Sequence, residues 1–350
     1  MPSLVAITAE GSDGFVPALR AAWDRGDAVL PVDPRLPPAG RRAVCQMLGA
    51  GRPVDDGDAL VVATSGSTGA PKGVVLTFDA LAAAARAVSA RLAVDPSSDS
   101  WLACLPLSHV GGLGVVVRAL LTGTPLTVRP AFDPAVDATL VSLVPTLLDR
   151  FDTSRFRVVL AGGAPDRRAR APNVVHTYGM TETGGGVVYD GVPLDGVEVR
   201  ADESGQLLVR GPSLLRCYRD GSDPKGADGW LPTGDVGEVL RDGRVVVHGR
   251  RCDLIVTGGE NVWPADVEEA LRSHPGVAEV AVVARDDPEW GQRVVAVVVP
   301  RKRSAPPTLD DLRSWVKEGR PAFAAPRELV LVDALPRTAS GKVARDRLLA

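Results

Sequence analysis

The 350-residue chain has only four cysteines, Cys45, Cys104, Cys217 and Cys252. They are far apart and form no C-x-x-C pattern, so neither a zinc site nor a disulfide framework is indicated, and buried free thiols are expected. There is no basic excess either: 24% of residues are charged and the net charge is −3, which argues against a nucleic-acid surface. No apolar run approaches the length of a membrane span. The opening Met1-Pro2-Ser3-Leu4-Val5-Ala6 lacks the basic region and sustained apolar core of a leader peptide, so a cytoplasmic protein is expected. No Ser-His or Cys-His arrangement suggests a protein nucleophile. What remains is an ordinary globular composition, 45% hydrophobic, long enough for one large and one smaller domain.

The most informative stretch is Thr64-Ser65-Gly66-Ser67-Thr68-Gly69-Ala70-Pro71-Lys72-Gly73, which follows the apolar run Ala59 to Ala63. Glycines let backbone N–H groups approach an anion, hydroxyls add donors and the lysine adds a mobile charge, so the stretch suits phosphate. Lys72 has the offset of a Walker A lysine from Gly66, but Pro71 and Gly73 break that pattern. Val74-Val75-Leu76 reads as a returning strand, with a helix only from about Thr77 to Asp79, so the loop should arch over phosphates. By composition alone it could equally be a flexible Gly/Ser/Thr turn.

Along the chain, Leu4 to Ile7, a helix over Phe15 to Trp23, and Ala28 to Val32 followed by Asp33-Pro34-Arg35-Leu36-Pro37 read as the start of an α/β layer. A helix over Ala80 to Leu92 and a strand Trp101 to Leu105 lead to Pro106-Leu107-Ser108-His109-Val110-Gly111-Gly112. His109 is placed either to face a ligand crevice at a strand end or to be a satisfied core histidine. Arg118 interrupts seven apolar or small neighbours, so its guanidinium must snorkel to water or meet an anion. Strands are expected at Leu126 to Val128 and Val158 to Leu160, with a helix near Asp137 to Phe151 between them. Ala161-Gly162-Gly163-Ala164-Pro165 is a glycine turn where backbone must lie close to something flat, and Tyr178-Gly179-Met180-Thr181-Glu182-Thr183 follows. Read alone, Glu182 is a solvated loop acid.

Residues 187 to 249 alternate in the manner of a small antiparallel unit, with Asp235 on a tight turn in Trp230-Leu231-Pro232-Thr233-Gly234-Asp235. Beyond Gly249-Arg250-Arg251-Cys252-Asp253 the expected order is strand, helix, two strands, helix and strand, with a capping-box pattern at Thr308 and Asp311. Domains 1–249 and 250–350 are expected: a large N-terminal α/β domain with a small antiparallel β unit, joined by a hinge to a small C-terminal α+β domain.

These strings, in this order and ending in Pro336-Arg337-Thr338-Ala339-Ser340-Gly341-Lys342, resemble the motifs of the adenylate-forming superfamily, which includes acyl-CoA synthetases, luciferases and peptide-synthetase adenylation domains. Fewer residues precede the phosphate stretch than in most members. The resemblance implies ATP, Mg2+ and coenzyme A as cofactors, with a carboxylic acid as the other partner. It assigns Thr64, Ser65, Gly66, Ser67, Thr68, Gly69 and Lys72 to the triphosphate, and Gly163, Ala164, Pro165 and Tyr178 to adenine. Gly179, Met180 and Thr181 border the α-phosphate, Glu182 ligates magnesium, and Asp235 and Arg250 hold the nucleotide. His109, Arg118 and Gly185 border the acyl group. Cys252 marks the pivot, Gly258 and Gly259 approach the thiol, and Lys342 bridges carboxylate and α-phosphate. The compact chain, His109 and Arg118 most resemble the o-succinylbenzoate–CoA ligases of menaquinone biosynthesis, which implies AMP-forming acid–thiol ligation of an aryl dicarboxylic acid. Another aryl- or acyl-CoA ligase, or an inactive nucleotide-binding relative, is the alternative. No nucleic-acid or membrane partner is expected, and a homo-oligomer is left open.

Overall fold

A computed structural model describes residues 1–11, 14–64, 72–148, 150–163, 171–337 and 343–349. The expected site residues Ser65 to Gly69, Ala164, Pro165 and Lys342 lie outside them. The chain forms two compact units. The first comprises residues 1–200, 208–232 and 239–245, and the second 201–207, 233–238 and 246–350.

The first unit opens with β1 (Leu4–Thr8), α1 (Phe15–Asp24), β2 (Ala28–Val32), α2 (Pro38–Met47), β3 (Asp58–Thr64), β4 (Lys72–Thr77) and α3 (Phe78–Arg91). The apolar strands β1, β2 and β3 run parallel, whereas β3 and β4 pair antiparallel from Asp58↔Thr77 to Thr64↔Lys72. The chain therefore returns along the strand it left, as Val74-Val75-Leu76 suggested. Helix α3 starts where expected because the Thr77 hydroxyl accepts the amide of Ala80 at 3.2 Å. Helix α2 begins with a proline and buries no residue.

A second sheet is built from β5 (Trp101–Ala103), β6 (Leu126–Val128), β7 (Leu140–Leu143), β8 (Val158–Ala161), β9 (Val174–Met180), β10 (Gly185–Tyr189) and β11 (Val192–Pro193), with α4 (Val110–Thr122) and α5 (Pro145–Leu148). Its order is β11-β10-β9-β8-β7-β5-β6. The helix expected near Asp137 to Phe151 is corrected: Leu140 to Leu143 is a strand between β5 and β8, paired parallel to both, and only Pro145–Leu148 is helical. A four-residue strand, Leu140-Val141-Ser142-Leu143, held between parallel strands is too short and too buried to reveal its period.

Next come β12 (Glu198–Ala201), β13 (Gln206–Arg210), β14 (Cys217–Tyr218), β15 (Leu231–Val239) and β16 (Val245–Arg250). The division between the units runs through the strands β12, β13, β15 and β16. Strand β14 belongs to the first sheet, beside β4.

The second unit continues with β17 (Ile255–Thr257), β18 (Glu260–Val262), α6 (Pro264–Arg272), β19 (Val277–Asp287), β20 (Gly291–Pro300), α7 (Leu309–Gly319) and β21 (Glu328–Leu331). The sheet order is β18-β17-β20-β19, with β21 parallel to β20 on a further edge. Alternation along β19 and β20 explains its two faces. Val282, Val294, Ala296 and Val298 pack with Val267 and Leu271 of α6 and Leu312 and Val316 of α7, while Ala281, Val295 and Val297 meet Leu335 and Leu348. Thr308 caps α7 reciprocally with Asp311. Among the described residues no helix is long and apolar enough to cross a membrane.

Candidate active site

The stretch expected to bind phosphate begins in β3 and ends in β4, so Thr64, Lys72 and Gly73 are fixed by the β3–β4 register. Lys72 is exposed as the first residue of β4, and the Thr64 hydroxyl donates to its carbonyl at 3.4 Å. Gly73 follows because nothing larger fits: a Cβ there would lie 2.8 Å from Val61 Cγ1 and 2.9 Å from Leu48 Cδ2. On the far side of β4 runs β14, registered by Cys217↔Val75 and Tyr218↔Val74. The Lys72 ammonium lies 4.7 Å from the centroid of the Tyr218 ring, a cation–π contact worth about 0.5–1 kcal/mol at an exposed site.

Tyr218 also reaches the second motif. Its hydroxyl donates to Glu182 Oε1 at 3.0 Å. Burial, then the charge and hydrogen bond of Glu182, push the phenol well above its ordinary value, so it remains a donor. Thr181 to Thr183 form one 3-10 turn at the end of β9, held by the Met180 amide on Thr183 Oγ1 at 2.9 Å and by the Leu215 amide on the Glu182 carbonyl at 2.7 Å. Tyr178 and Gly179 lie in β9. A Cβ on Gly179 would come 2.0 Å from the Gly185 carbonyl oxygen, so the β9–β10 pair closes only around glycine. Gly163, two residues beyond β8, lies in the left-handed region at φ +86, and Gly185 opens β10 at φ +125. Tyr218 was not singled out from sequence; two residues in a short strand carry no local signal.

His109 immediately precedes α4, and its Nε2 lies 3.4 Å from Arg35 Nη2. Burial alone would raise the Asp33 carboxyl, but Arg35 grips both its oxygens at 2.9 and 2.7 Å and holds it below the usual range. Helix α4 approaches the β5 exit so closely that a Cβ on Gly112 would lie 2.4 Å from the Leu105 carbonyl oxygen. Farther along α4, Arg118 does not snorkel fully. Its guanidinium carbon lies 4.7 Å from the Trp101 ring centroid, and its Nη1 is enclosed without a hydrogen-bond partner among the described residues. Burial lowers its pKa and raises that of enclosed Tyr189 close by. The Trp101 indole N–H is likewise enclosed and unpaired among the described residues.

In the second unit Asp235 is not on a tight turn, as expected, but inside β15, next to Gly234 at φ +73, which kinks the strand without ending it. The buried Asp235 carboxylate is 2.8 Å from Arg250 Nε, and Arg250 Nη1 donates to the Thr233 carbonyl at 3.2 Å. Cys252 lies in the 3-10 turn Arg251–Asp253 and is exposed, so the expectation of four buried thiols fails there. Cys104 is buried, and Cys45 and Cys217 are half-buried. Gly258 and Gly259, at φ +59 and +82, form the two-residue turn between Thr257 and Glu260, a backbone that only glycine-like residues adopt readily. The described residues flanking Lys342 are fixed by an antiparallel bridge between Arg337 and Val343.

Among the described residues no cluster of three or more His, Cys, Asp or Glu is placed to hold a metal. Mg2+ is commonly held by one or two carboxylates together with substrate phosphates. Glu182, joined through Tyr218 to the strand that Lys72 begins, has the chemistry to share such an ion with substrate phosphates.

The AMP-binding enzyme family matches residues 50–219, and the AMP-binding enzyme C-terminal domain matches residues 266–342. A probable 2-succinylbenzoate–CoA ligase of Mycobacterium tuberculosis is 39% identical, over 96% of this chain and 94% of that protein. A 2-succinylbenzoate–CoA ligase of Bacillus cytotoxicus is 34% identical over 82% and 69%. The structure of an O-succinylbenzoate coenzyme A synthetase from Bacillus subtilis, in complex with ATP and magnesium ion, superposes with a TM-score of 0.86 at 26% identity, covering 99% of this chain and 89% of that one. With motif order, fold and relatives in agreement, the chain belongs to the AMP-binding, adenylate-forming enzymes.

Proposed function

We propose that the protein is an o-succinylbenzoate–CoA ligase, acting in the cytoplasm with MgATP and coenzyme A as co-substrates in menaquinone biosynthesis. In the first half-reaction the succinyl carboxylate attacks the α-phosphate of MgATP and pyrophosphate leaves. Lys72 neutralises the departing pyrophosphate, Thr181 bonds the α-phosphate, Glu182 faces the accompanying Mg2+, and Lys342 neutralises charge between carboxylate and α-phosphate. A single well-aimed donor of this kind contributes about 3 kcal/mol. In the second half-reaction the thiol of coenzyme A attacks the acyl adenylate and AMP leaves with its bonding electron pair, so no protein nucleophile is needed. Residues 1–249 act as the nucleotide- and acid-binding domain and 250–350 as the mobile one.

The observation that carries the choice of acid is Arg118, a guanidinium whose enclosed Nη1 has no hydrogen-bond partner among the described residues, in a chain 39% identical to a probable 2-succinylbenzoate–CoA ligase. An enclosed cation lacking an anion calls for one from the ligand, and the free ring carboxylate of o-succinylbenzoate supplies it. The test is ATP–pyrophosphate exchange by the purified protein across a panel of aryl and alkyl acids. Exchange selective for o-succinylbenzoate supports the reading. Equal exchange with benzoate, or none with any acid despite ATP binding, overturns it.

A further inference from the structure

We infer that Tyr218 is a positioning residue for the adenylation step, holding the Glu182 carboxylate by one oxygen and offering its ring face to Lys72. This rests on the ligase reading above and adds a residue to it.

Tyr218 touches both residues placed nearest the triphosphate, and the two contacts use different parts of the side chain. The hydroxyl donates to Glu182 Oε1 at 3.0 Å, while the ring centroid lies 4.7 Å from Lys72 Nζ. One carboxylate oxygen is thereby oriented, and the carboxylate so held would be the group facing the Mg2+ that accompanies ATP.

The backbone around Tyr218 is held on both sides. The amides of Arg216 and Arg219 donate to the carbonyls of Val75 and Gly73 at 2.9 and 2.7 Å, tying the segment to the strand that Lys72 begins. The Leu215 amide donates to the carbonyl of Glu182 itself at 2.7 Å. Arg216 is anchored in turn by both oxygens of buried Asp58, each at 2.9 Å. A side chain so fixed can hold a carboxylate in one rotamer before substrate arrives. Partners of metal-facing carboxylates matter in this way: their loss commonly costs about 10–100-fold in metal affinity or activity.

The experiment separates hydroxyl from ring. Binding of ATP is measured by calorimetry across a Mg2+ titration and again in EDTA, for the wild type, Tyr218→Phe, Tyr218→Leu, Glu182→Gln and the Tyr218→Phe/Glu182→Gln double variant, with thermal melting as a check on folding. Tyr218→Phe is expected to raise the Mg2+ concentration for half-saturation by about tenfold and to leave ATP binding in EDTA unmoved. Tyr218→Leu is expected to weaken binding in EDTA as well. The effect of Tyr218→Phe should vanish in the Glu182→Gln background, since the two act as one unit. A Mg2+ profile for Tyr218→Phe equal to that of wild type, or the same loss in both backgrounds, overturns the inference and leaves the ligase reading standing. A wild-type protein that fails to bind MgATP overturns both.

Discussion

The guanidinium of Arg345 meets the carboxylate of Glu268 at 2.7 Å, three residues beyond Lys342. Glu268 is only 5% exposed, and its carboxylate also accepts the Val282 amide at 2.9 Å and Arg272 at 3.1 Å. The chain that re-emerges after the final motif is thus fastened to α6 and β19 by a buried charge. Removing one member of such a pair strands the other. Arg345→Met is expected to cost about 2 kcal/mol, below the usual range for buried pairs because Arg272 remains. Adding Glu268→Gln removes the stranded charge while keeping an oxygen for the Val282 amide, so stability should partly return. Hydrogen exchange across Val277–Asp287 checks this: faster in the single variant and slowed again in the double one. Additive losses would show that the ion pair carries no coupling.

A second carboxylate makes stability depend on pH. Asp99 precedes β5 and binds Arg157, just before β8, with Nε to Oδ1 at 2.9 Å, and Thr139, just before β7, at 2.8 Å. One acid therefore fastens the starts of three neighbouring parallel strands. Burial alone would raise its pKa, but the bonds from Arg157, the Asp95 amide and Thr139 more than reverse this and hold it below the ordinary value. A depressed folded-state pKa stabilises above the unfolded value of about 3.9, and the contribution is lost as pH falls through that value towards the lower folded one. Asp99→Ala should lower the melting temperature at pH 7 by about 5–10 °C, from a loss of about 2–3 kcal/mol. Once the pH has fallen below the folded-state value, the variant and wild type should converge. A melting difference independent of pH would refute the electrostatic account.

We propose that Asp235 accepts hydrogen bonds from the ribose hydroxyls, as the family resemblance implies, and this predicts a uniform loss. Asp235→Asn replaces a charged acceptor by a neutral one and also loosens Arg250, now 2.8 Å away. AMP and ATP share the ribose, so calorimetry should find both weakened by the same factor, about 10–100-fold for a charge-assisted hydrogen bond. A loss confined to ATP would place Asp235 at the phosphates instead.

How much of this could be read from the sequence varied with how local the cause was. The small C-terminal unit was readable because β19 and β20 are long valine-rich runs that favour strand and Thr308 caps its helix within three residues. Helix α2 was not: none of its residues is fully buried, and half-buried Val44 and Cys45 give too few apolar positions to mark a period. Strand β7 was misread because burial on both faces erases the alternation that marks a strand. Asp235 was placed on a turn because T-G-D usually makes one, whereas pairing along β15 overrides the local glycine. Tyr218 could not be found at all: its partner Glu182 lies 36 residues away, and the contact exists only because β14 pairs with β4.

Arg118 gives a prediction whose two parts have opposite signs. Within the first unit its Nη1 is enclosed and without a partner among the described residues, compensated by the face of Trp101 at 4.7 Å. An enclosed charge short of partners destabilises the free protein, and burial already lowers the Arg118 pKa. Arg118→Met keeps the length of the side chain and removes the charge, so the free protein should gain about 1–2 kcal/mol, after allowance for the lost cation–π contact. The same change removes the proposed partner of the ring carboxylate, which is bound alike in ground state and transition state. The KM for o-succinylbenzoate should therefore rise by about 100-fold with kcat little changed. Benzoate, whose only carboxylate must go to the reacting centre, should show no such penalty. A structural arginine would give the reverse pattern, with stability falling and KM unmoved, so denaturation and steady-state kinetics on this one variant separate a binding role from a packing one.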